Sequence, residues 1–406
     1  MIVYVSQELN GRKFGGVALA GYDFLEILKN KFENVTVVTV SNYSIQTNDF
    51  DFLESSPENT IIMKPSLSKW FHSSRNFLVN SFKFLTSIGQ KTKIKIEDYR
   101  PVDDNTPDIV FVNSWSSLYQ SGKIEGLEKF KKVVYIHGNP ESFEWQSESS
   151  NKDFVIKEAA SYLEEFKYHI YVSSIGLSRW ESYLDDFNVF KRYYLPNKAD
   201  HSQIERLLMN DQFYYRNKLN FQENALNIVV CGSIQKRKAQ DILLKIIPSL
   251  VDSIDRRIIF HLIGGISVRW GGKAIIDEIS NSRYSNNFII HGHKDNALEY
   301  IAAADICLFT SRAEAFPITL LEYMGMKKPI IASDVSGVPE MIKNNSNGFL
   351  YSNQDLDHLV SLIQMVQSNP EISSRVASKA RLDYLNKFSP LNYYNSCAQI
   401  LEDILS

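Results

Sequence analysis

Ile306-Cys307-Leu308-Phe309-Thr310-Ser311-Arg312-Ala313-Glu314-Ala315-Phe316-Pro317-Ile318-Thr319-Leu320-Leu321-Glu322-Tyr323 is the stretch from which the rest of the chain can be read. Four apolar residues make a short buried strand, and a polar loop follows. Pro317 suits the first turn of a helix, where its missing N–H costs nothing. The segment is therefore a strand, a loop carrying Glu314 and a helix carrying Glu322.

The same alternation runs outward in both directions. Upstream, short Val- and Ile-rich runs stand at Ile2–Val5, Val35–Val40, Ile109–Val112, Val133–Ile136 and Ile170–Val172, with helical spacing in Val17–Leu28 and Phe154–Phe166. After a polar, Asn-rich patch near Arg216–Asn227, the pattern restarts at Ile228–Cys231, Ile258–Ile263, Phe288–Ile290, Ile306–Phe309 and Pro329–Ala332. Strands alternating with helices imply parallel sheets with crossover helices, and 406 residues are too many for one ordinary core. Two doubly wound Rossmann-like domains are expected.

Composition narrows the class. A hydrophobic share of 44% and a charged share of 22% are those of a globular chain. A net charge of -3 argues against a nucleic-acid partner. Cys231, Cys307 and Cys397 are far apart in apolar surroundings and read as reduced core thiols. With no signal-like start and no apolar run of membrane-spanning length, the expected location is the cytoplasm.

In open parallel sheets, ligands gather beyond the carboxyl ends of the strands. The helix start around Phe316–Thr319 offers free N–H groups and a positive dipole end, which suit a phosphate. Glu314 and Glu322 on either side could accept hydrogen bonds from hydroxyls, one set on a sugar and the other on a ribose.

Glu314 to Glu322 resembles the E-x7-E signature of retaining glycosyltransferases of family 4, which have the GT-B fold of two Rossmann-like domains facing a central cleft. Ala304-Asp305, Lys328-Pro329-Ile330-Ile331-Ala332-Ser333, Gly337-Val338-Pro339-Glu340 and Asn347-Gly348-Phe349-Leu350 are similar to the family as well. The resemblance implies a retaining, hexosyltransferase-type enzyme. It would move a sugar from a nucleotide-diphosphate donor, UDP-sugar before GDP-sugar, to a carbohydrate, lipid-linked or other hydroxyl acceptor in polysaccharide or glycoconjugate synthesis.

By the same resemblance Glu314 contacts donor-sugar hydroxyls and Glu322 the ribose diol, while main-chain groups of Phe316, Pro317 and Ile318 line the pocket. Cys231-Gly232-Ser233-Ile234-Gln235-Lys236-Arg237-Lys238 matches the family's phosphate loop at Gly232 and Lys238, but Ser233 stands where the family has Arg. Arg237 and Lys238 are candidate cations for the diphosphate, Arg237 filling in for the arginine. Gly15 and Gly16 resemble the family's glycine loop, His137 its histidine near the reacting sugar, and Leu195-Pro196-Asn197 its interdomain hinge. The expected division is residues 1–198 as the acceptor-binding domain, with 388–406 packing back on it, and 199–387 as the nucleotide-sugar-binding domain.

No cofactor is expected, the nucleotide-sugar being a substrate. Asp49 with Asp51 and Asp355 with Asp357 form Asp-x-Asp pairs but lie away from the expected strand ends, so no essential divalent metal is expected either. Residues 64–95 carry seven Lys or Arg, no acid, and Trp70, Phe71, Phe77, Phe82 and Phe84. This segment reads either as peripheral contact with the inner face of the membrane or as a helix packing its aromatics into the first domain. A nucleotide-sugar epimerase on the same scaffold and a non-catalytic partner subunit stay open as alternatives.

Overall fold

The computed structural model describes residues 2–6, 24, 27–28, 35–40, 60–63, 94–95, 109–113, 124–125, 130–141, 152–184 and 189–406. Gly15, Gly16, Asp49 and Asp51 lie outside the described residues, as does the basic aromatic segment apart from Ile94–Lys95.

Two compact units emerge. The first comprises Met1–Val172, Gly176–Leu195 and Tyr394–Ser406, and the second Ser173–Ile175 and Pro196–Tyr393.

In the first unit a seven-stranded parallel sheet is built from β1 (Ile2–Ser6), β2 (Val35–Val40), β3 (Thr60–Met63), β5 (Ile109–Asn113), β7 (Lys131–Ile136), β8 (Tyr168–Tyr171) and β9 (Lys191–Tyr194). Their order is β3-β2-β1-β5-β7-β8-β9, and β4 (Ile94–Lys95) pairs separately with β6 (Ile124–Glu125). β5 is buried at all five positions, as expected of a strand covered on both faces. Val110, Val112, Val134 and Ile136 pack with Ile156, Ala159, Ala160 and Leu163 of α1 (Lys152–Leu163). Trp180, on α2 (Ser174–Glu181), joins that core and satisfies its indole N–H on the Gly138 carbonyl at 2.9 Å.

The second unit begins with α3 (His201–Leu207) and α4 (Gln212–Leu219). Its six-stranded parallel sheet is interleaved with helices in chain order: β10 (Leu226–Cys231), α5 (Ile242–Ser253), β11 (Ile258–Ile263), α6 (Gly272–Asn281), β12 (Phe288–Gly292), α7 (Ala297–Ala303) and β13 (Ile306–Phe309). Then come α8 (Ile318–Gly325), β14 (Ile330–Ser333), α9 (Val338–Met341), β15 (Phe349–Tyr351), α10 (Leu356–Ser368) and α11 (Pro370–Lys387). α12 (Pro390–Leu405) ends the chain.

The strand order β12-β11-β10-β13-β14-β15 reverses direction between β10 and β13. That reversal is the topological switch point at which a doubly wound sheet opens a crevice for ligand. All residues of β10 and β11 are buried, and Ile228, Val230, Phe260 and Leu262 share one core with Leu243, Ile246, Ile247 and Leu250 of α5.

Several strands escape the sequence pattern. β9 reads Lys-Arg-Tyr-Tyr and is mostly exposed at a sheet edge, so it lacks the apolar run that marks central strands. β15 has only three residues. Pro317 also falls one place earlier than expected: it is the cap residue with extended ψ of 122°, and α8 begins at Ile318. Its missing N–H still costs nothing there.

The three cysteines are free and buried. Among the described residues no helix is long and apolar enough to cross a membrane. Among the same residues no group of three or more His, Cys, Asp or Glu is placed to hold a metal ion. Asp355 caps α10 instead, accepting from the His358 N–H at 2.9 Å.

Candidate active site

β10 and β13 end side by side at the switch point, and each hands the chain to a loop. After β10 the chain passes Gly232 and Ser233, and Lys236–Lys238 then form a short 3-10 turn. Gly232 has φ of +138° and Gly264, at the end of neighbouring β11, has φ of +155°, a region that favours glycine. A Cβ on Gly264 would lie 2.1 Å from the Gly232 carbonyl oxygen, so close packing of the two loops requires glycine.

After β13 the loop from Thr310 to Pro317 is fastened to that turn. The Thr310 hydroxyl donates to the Lys238 carbonyl at 2.6 Å, and the Arg312 N–H donates to the Arg237 carbonyl at 2.8 Å. Arg237 returns the contact through Nη1 to the Ala313 carbonyl at 2.7 Å. Arg312 itself grips both carboxylate oxygens of Asp241, at 2.9 and 2.7 Å.

Within this frame Glu314 Oε1 receives three donors: Arg237 Nη1 at 2.5 Å, Lys238 Nζ at 2.6 Å and the Ser311 hydroxyl at 3.1 Å. Glu314, Lys238 and Arg237 are 12%, 14% and 18% exposed, partly withdrawn from water yet reachable. Burial raises the Glu314 carboxyl, but the charges of Arg237 and Lys238 with the bonds from Lys238 and Ser311 outweigh it, and the net shift is downward. Burial lowers the Lys238 ammonium below its usual range, assisted by Arg237 and opposed by Glu314. The cluster is an ionised triad whose electrostatics are set before any ligand arrives.

The sequence reading separates these residues, with Glu314 on a sugar and the two cations on a diphosphate. The structure brings them onto one carboxylate oxygen. Ser233 makes no part of that triad. Its hydroxyl accepts from Gln235 Nε2 at 2.7 Å, and its carbonyl accepts from Gln240 Nε2 at 3.1 Å.

Glu322 lies one turn into α8 and is half-buried. Burial, with the nearby Asp200 carboxylate, pushes its carboxyl up to about 7. Asp200 is itself the cap of α3, accepting from the Gln203 N–H at 3.0 Å. The helix start carries no side-chain cap, which leaves the Ile318 end available to an anion. Phe316 turns its carbonyl to Asn197 Nδ2 at 2.7 Å and packs its ring edge-on to Phe388, with centroids 5.5 Å apart.

In the first unit His137 follows β7, its Nε2 paired with Asn113 Oδ1 at 2.7 Å and its ring 4.1 Å from that of Tyr135. Burial lowers the imidazole to about 3, so the ring is neutral at ordinary pH. Its Nδ1 is buried without a partner among the described residues.

The sequence reading names Glu314, Glu322, Arg237 and Lys238, places Asn197 only in a hinge motif and passes over Asp241, although Asn197 and Asp241 both hold this loop. Asn197 pairs with a residue 119 positions away, and no spacing rule reaches that far.

Residues 211–383 match the family model described as Glycosyl transferases group 1. The poly(ribitol-phosphate) alpha-N-acetylglucosaminyltransferase of Staphylococcus aureus (strain COL) is 26% identical over 167 residues, which are 39% of this chain and 33% of that protein. The D-inositol 3-phosphate glycosyltransferase of Streptomyces griseus subsp. griseus is 24% identical over 172 residues, 41% of this chain and 36% of the relative. The chain thus spans about a third of the length of these curated relatives.

Among solved structures, Anabaena HepE in complex with UDP superposes with a TM-score of 0.69 at 17% identity, covering 99% of both chains. WaaG, a glycosyltransferase involved in lipopolysaccharide biosynthesis, gives 0.70 at 14% identity over 100% of this chain and 99% of its own. This chain therefore has the GT-B fold, and its residues 211–383 carry the match to the group 1 glycosyl transferases.

Proposed function

We propose that the chain is a glycosyltransferase that moves a hexosyl group from a nucleotide-diphosphate donor to a hydroxyl acceptor with retention at the anomeric carbon. The observation that carries this reading is the convergence of Arg237 and Lys238 on Glu314 at the β10/β13 switch point, one turn from an uncapped helix start. A UDP-sugar is the favoured donor. Its diphosphate would lie between the two cations and the start of α8, its sugar hydroxyls against Glu314 and its ribose against Glu322. UDP accompanies HepE, of the same fold, which supports the choice of base. The acceptor is a carbohydrate or lipid-linked hydroxyl.

In the reaction the bond from the anomeric carbon to the diphosphate oxygen breaks, and a bond from the acceptor oxygen forms on the same face. A leaving diphosphate oxygen takes the acceptor proton, so atoms and charge balance without a protein nucleophile. Arg237 and Lys238 stabilise the developing diphosphate charge from fixed positions. No cofactor enters this scheme, and no divalent metal is needed to neutralise the leaving group.

A thermal-shift screen with UDP, GDP, ADP and their sugars tests the reading. A matching nucleotide at a hundred times its dissociation constant should add about 2.7 kcal/mol of stability, and EDTA should leave the shift in place. No response to any nucleotide would sink the reading. NMR of products with and without acceptor would expose an epimerase, which converts donor alone.

Glu322 supplies a pH test. Its carboxyl is raised from 4.5 to about 7, so the stability it contributes is full below about 4.5 and is lost as pH rises through about 7. Relative to Glu322→Gln, the native protein should lose about 3 kcal/mol across that window in denaturant titrations. UDP affinity should rise over the same window in the native protein, as the carboxylate forms and accepts from the ribose, and stay flat in Glu322→Gln.

A further inference from the structure

Asn197 is 7% exposed and stands second in the long continuous stretch of the second unit, after Pro196. Its Nδ2 donates to the Phe316 carbonyl at 2.7 Å. Its Oδ1 is buried and has no partner among the described residues. A buried acceptor left unpaired carries a desolvation penalty, and native proteins keep very few of them. An apolar side chain of similar size would avoid the penalty, so space-filling does not account for asparagine here. The bond to Phe316 is what an apolar replacement would lose.

That bond acts on a sensitive point. The Phe316 carbonyl belongs to the peptide that joins Phe316 to Pro317, and Pro317 has φ of -73°, locked by its ring. Fixing the direction of the carbonyl fixes the one soft torsion before the proline. The entry of the chain into α8 follows, and with it the aim of the Ile318 and Thr319 N–H groups. On the other side the Phe316 ring is held by Phe388.

We propose that Asn197 is a positioning residue for the donor diphosphate: its carboxamide holds the Phe316-Pro317-Ile318 turn so that the start of α8 faces the terminal phosphate and the attached sugar. This rests on the transferase reading above. Asn197 acts through the turn, and the nucleoside end of the donor, held at Glu322, lies outside its influence.

The split between nucleotides tests it. Calorimetric titration of the full chain and of Asn197→Ala and Asn197→Leu would use UMP and UDP, or GMP and GDP if the guanine nucleotides give the response. Alanine removes the donor, and leucine removes it while keeping the volume. Both variants should bind UMP within twofold of the native protein and UDP at least tenfold more weakly, with melting temperatures within a few degrees of native.

Equal weakening towards UMP and UDP, or native affinity for both, would overturn the positioning role and leave the transferase reading standing. A native chain that binds none of these nucleotides would overturn the transferase reading first. Should Asn197→Ala fold poorly, Asn197→Leu, which fills the same volume, carries the comparison.

Discussion

Replacing Glu314 with alanine should lower sugar-transfer turnover about 10²- to 10³-fold, the range seen when one preorganised electrostatic partner of a transition state is removed. The same change strips Arg237 and Lys238 of the carboxylate that both engage at 2.5 and 2.6 Å. Two partly buried cations left facing each other should destabilise the chain by about 2–3 kcal/mol, less than for a fully buried pair because water reaches all three groups. Glu314→Gln keeps the shape without the charge, so it should recover packing and little of the turnover.

The pH dependence adds a check. The Glu314 carboxyl is held below its usual value, so its stabilisation is present above about 4.5 and lost as pH falls through the lowered folded value. The stability gap between the native protein and Glu314→Gln should therefore narrow in acid. A constant gap from pH 7 to pH 3, or native turnover in the alanine variant, would remove Glu314 from the site.

The second large effect is expected at Gly264. At φ of +155° an alanine is strained, and its Cβ would stand 2.1 Å from the Gly232 oxygen and 2.9 Å from the Ser233 nitrogen. Neither neighbour is a flexible side-chain tip, so the backbone beyond β10 must move. Gly264→Ala should cost about 3–5 kcal/mol and abolish the thermal response to nucleotide, since the displaced peptide leads into the Lys236–Lys238 turn. Gly265→Ala is the control: nothing lies within 4 Å of its Cβ, and the change should cost under about 1 kcal/mol. Equal losses at the two positions would mean that generic glycine effects, and not the approach of the loops, set the cost.

Much of this architecture was legible in the residues. Leu226–Cys231, Ile258–Ile263 and Ile306–Phe309 are near-continuous apolar runs because both faces of a parallel sheet are covered, and such runs can be read one strand at a time. Edge strands were not legible: β9 faces water along most of its length and carries a polar sequence. Pro317 announced the start of α8 to within one residue, since its fixed φ and absent N–H tolerate either the cap or the first helical place.

The functional site divides the same way. By itself the sequence determined that Glu314 sits in a loop after a strand, that Glu322 sits on the following helix, and that Arg237 and Lys238 follow another strand. These are local facts, set by periodicity and by the chemistry of single residues. Only the tertiary structure decided that β13 lies beside β10 and so brings Arg237 and Lys238 onto the carboxylate of Glu314, 77 and 76 positions further along the chain. It also decided that Asn197 donates to the Phe316 carbonyl just before α8. The physical reason is that strand order follows from how all the helices and strands together bury their apolar faces. A charge pair or carboxamide bond that depends on that order leaves no periodic trace in the segments that supply it.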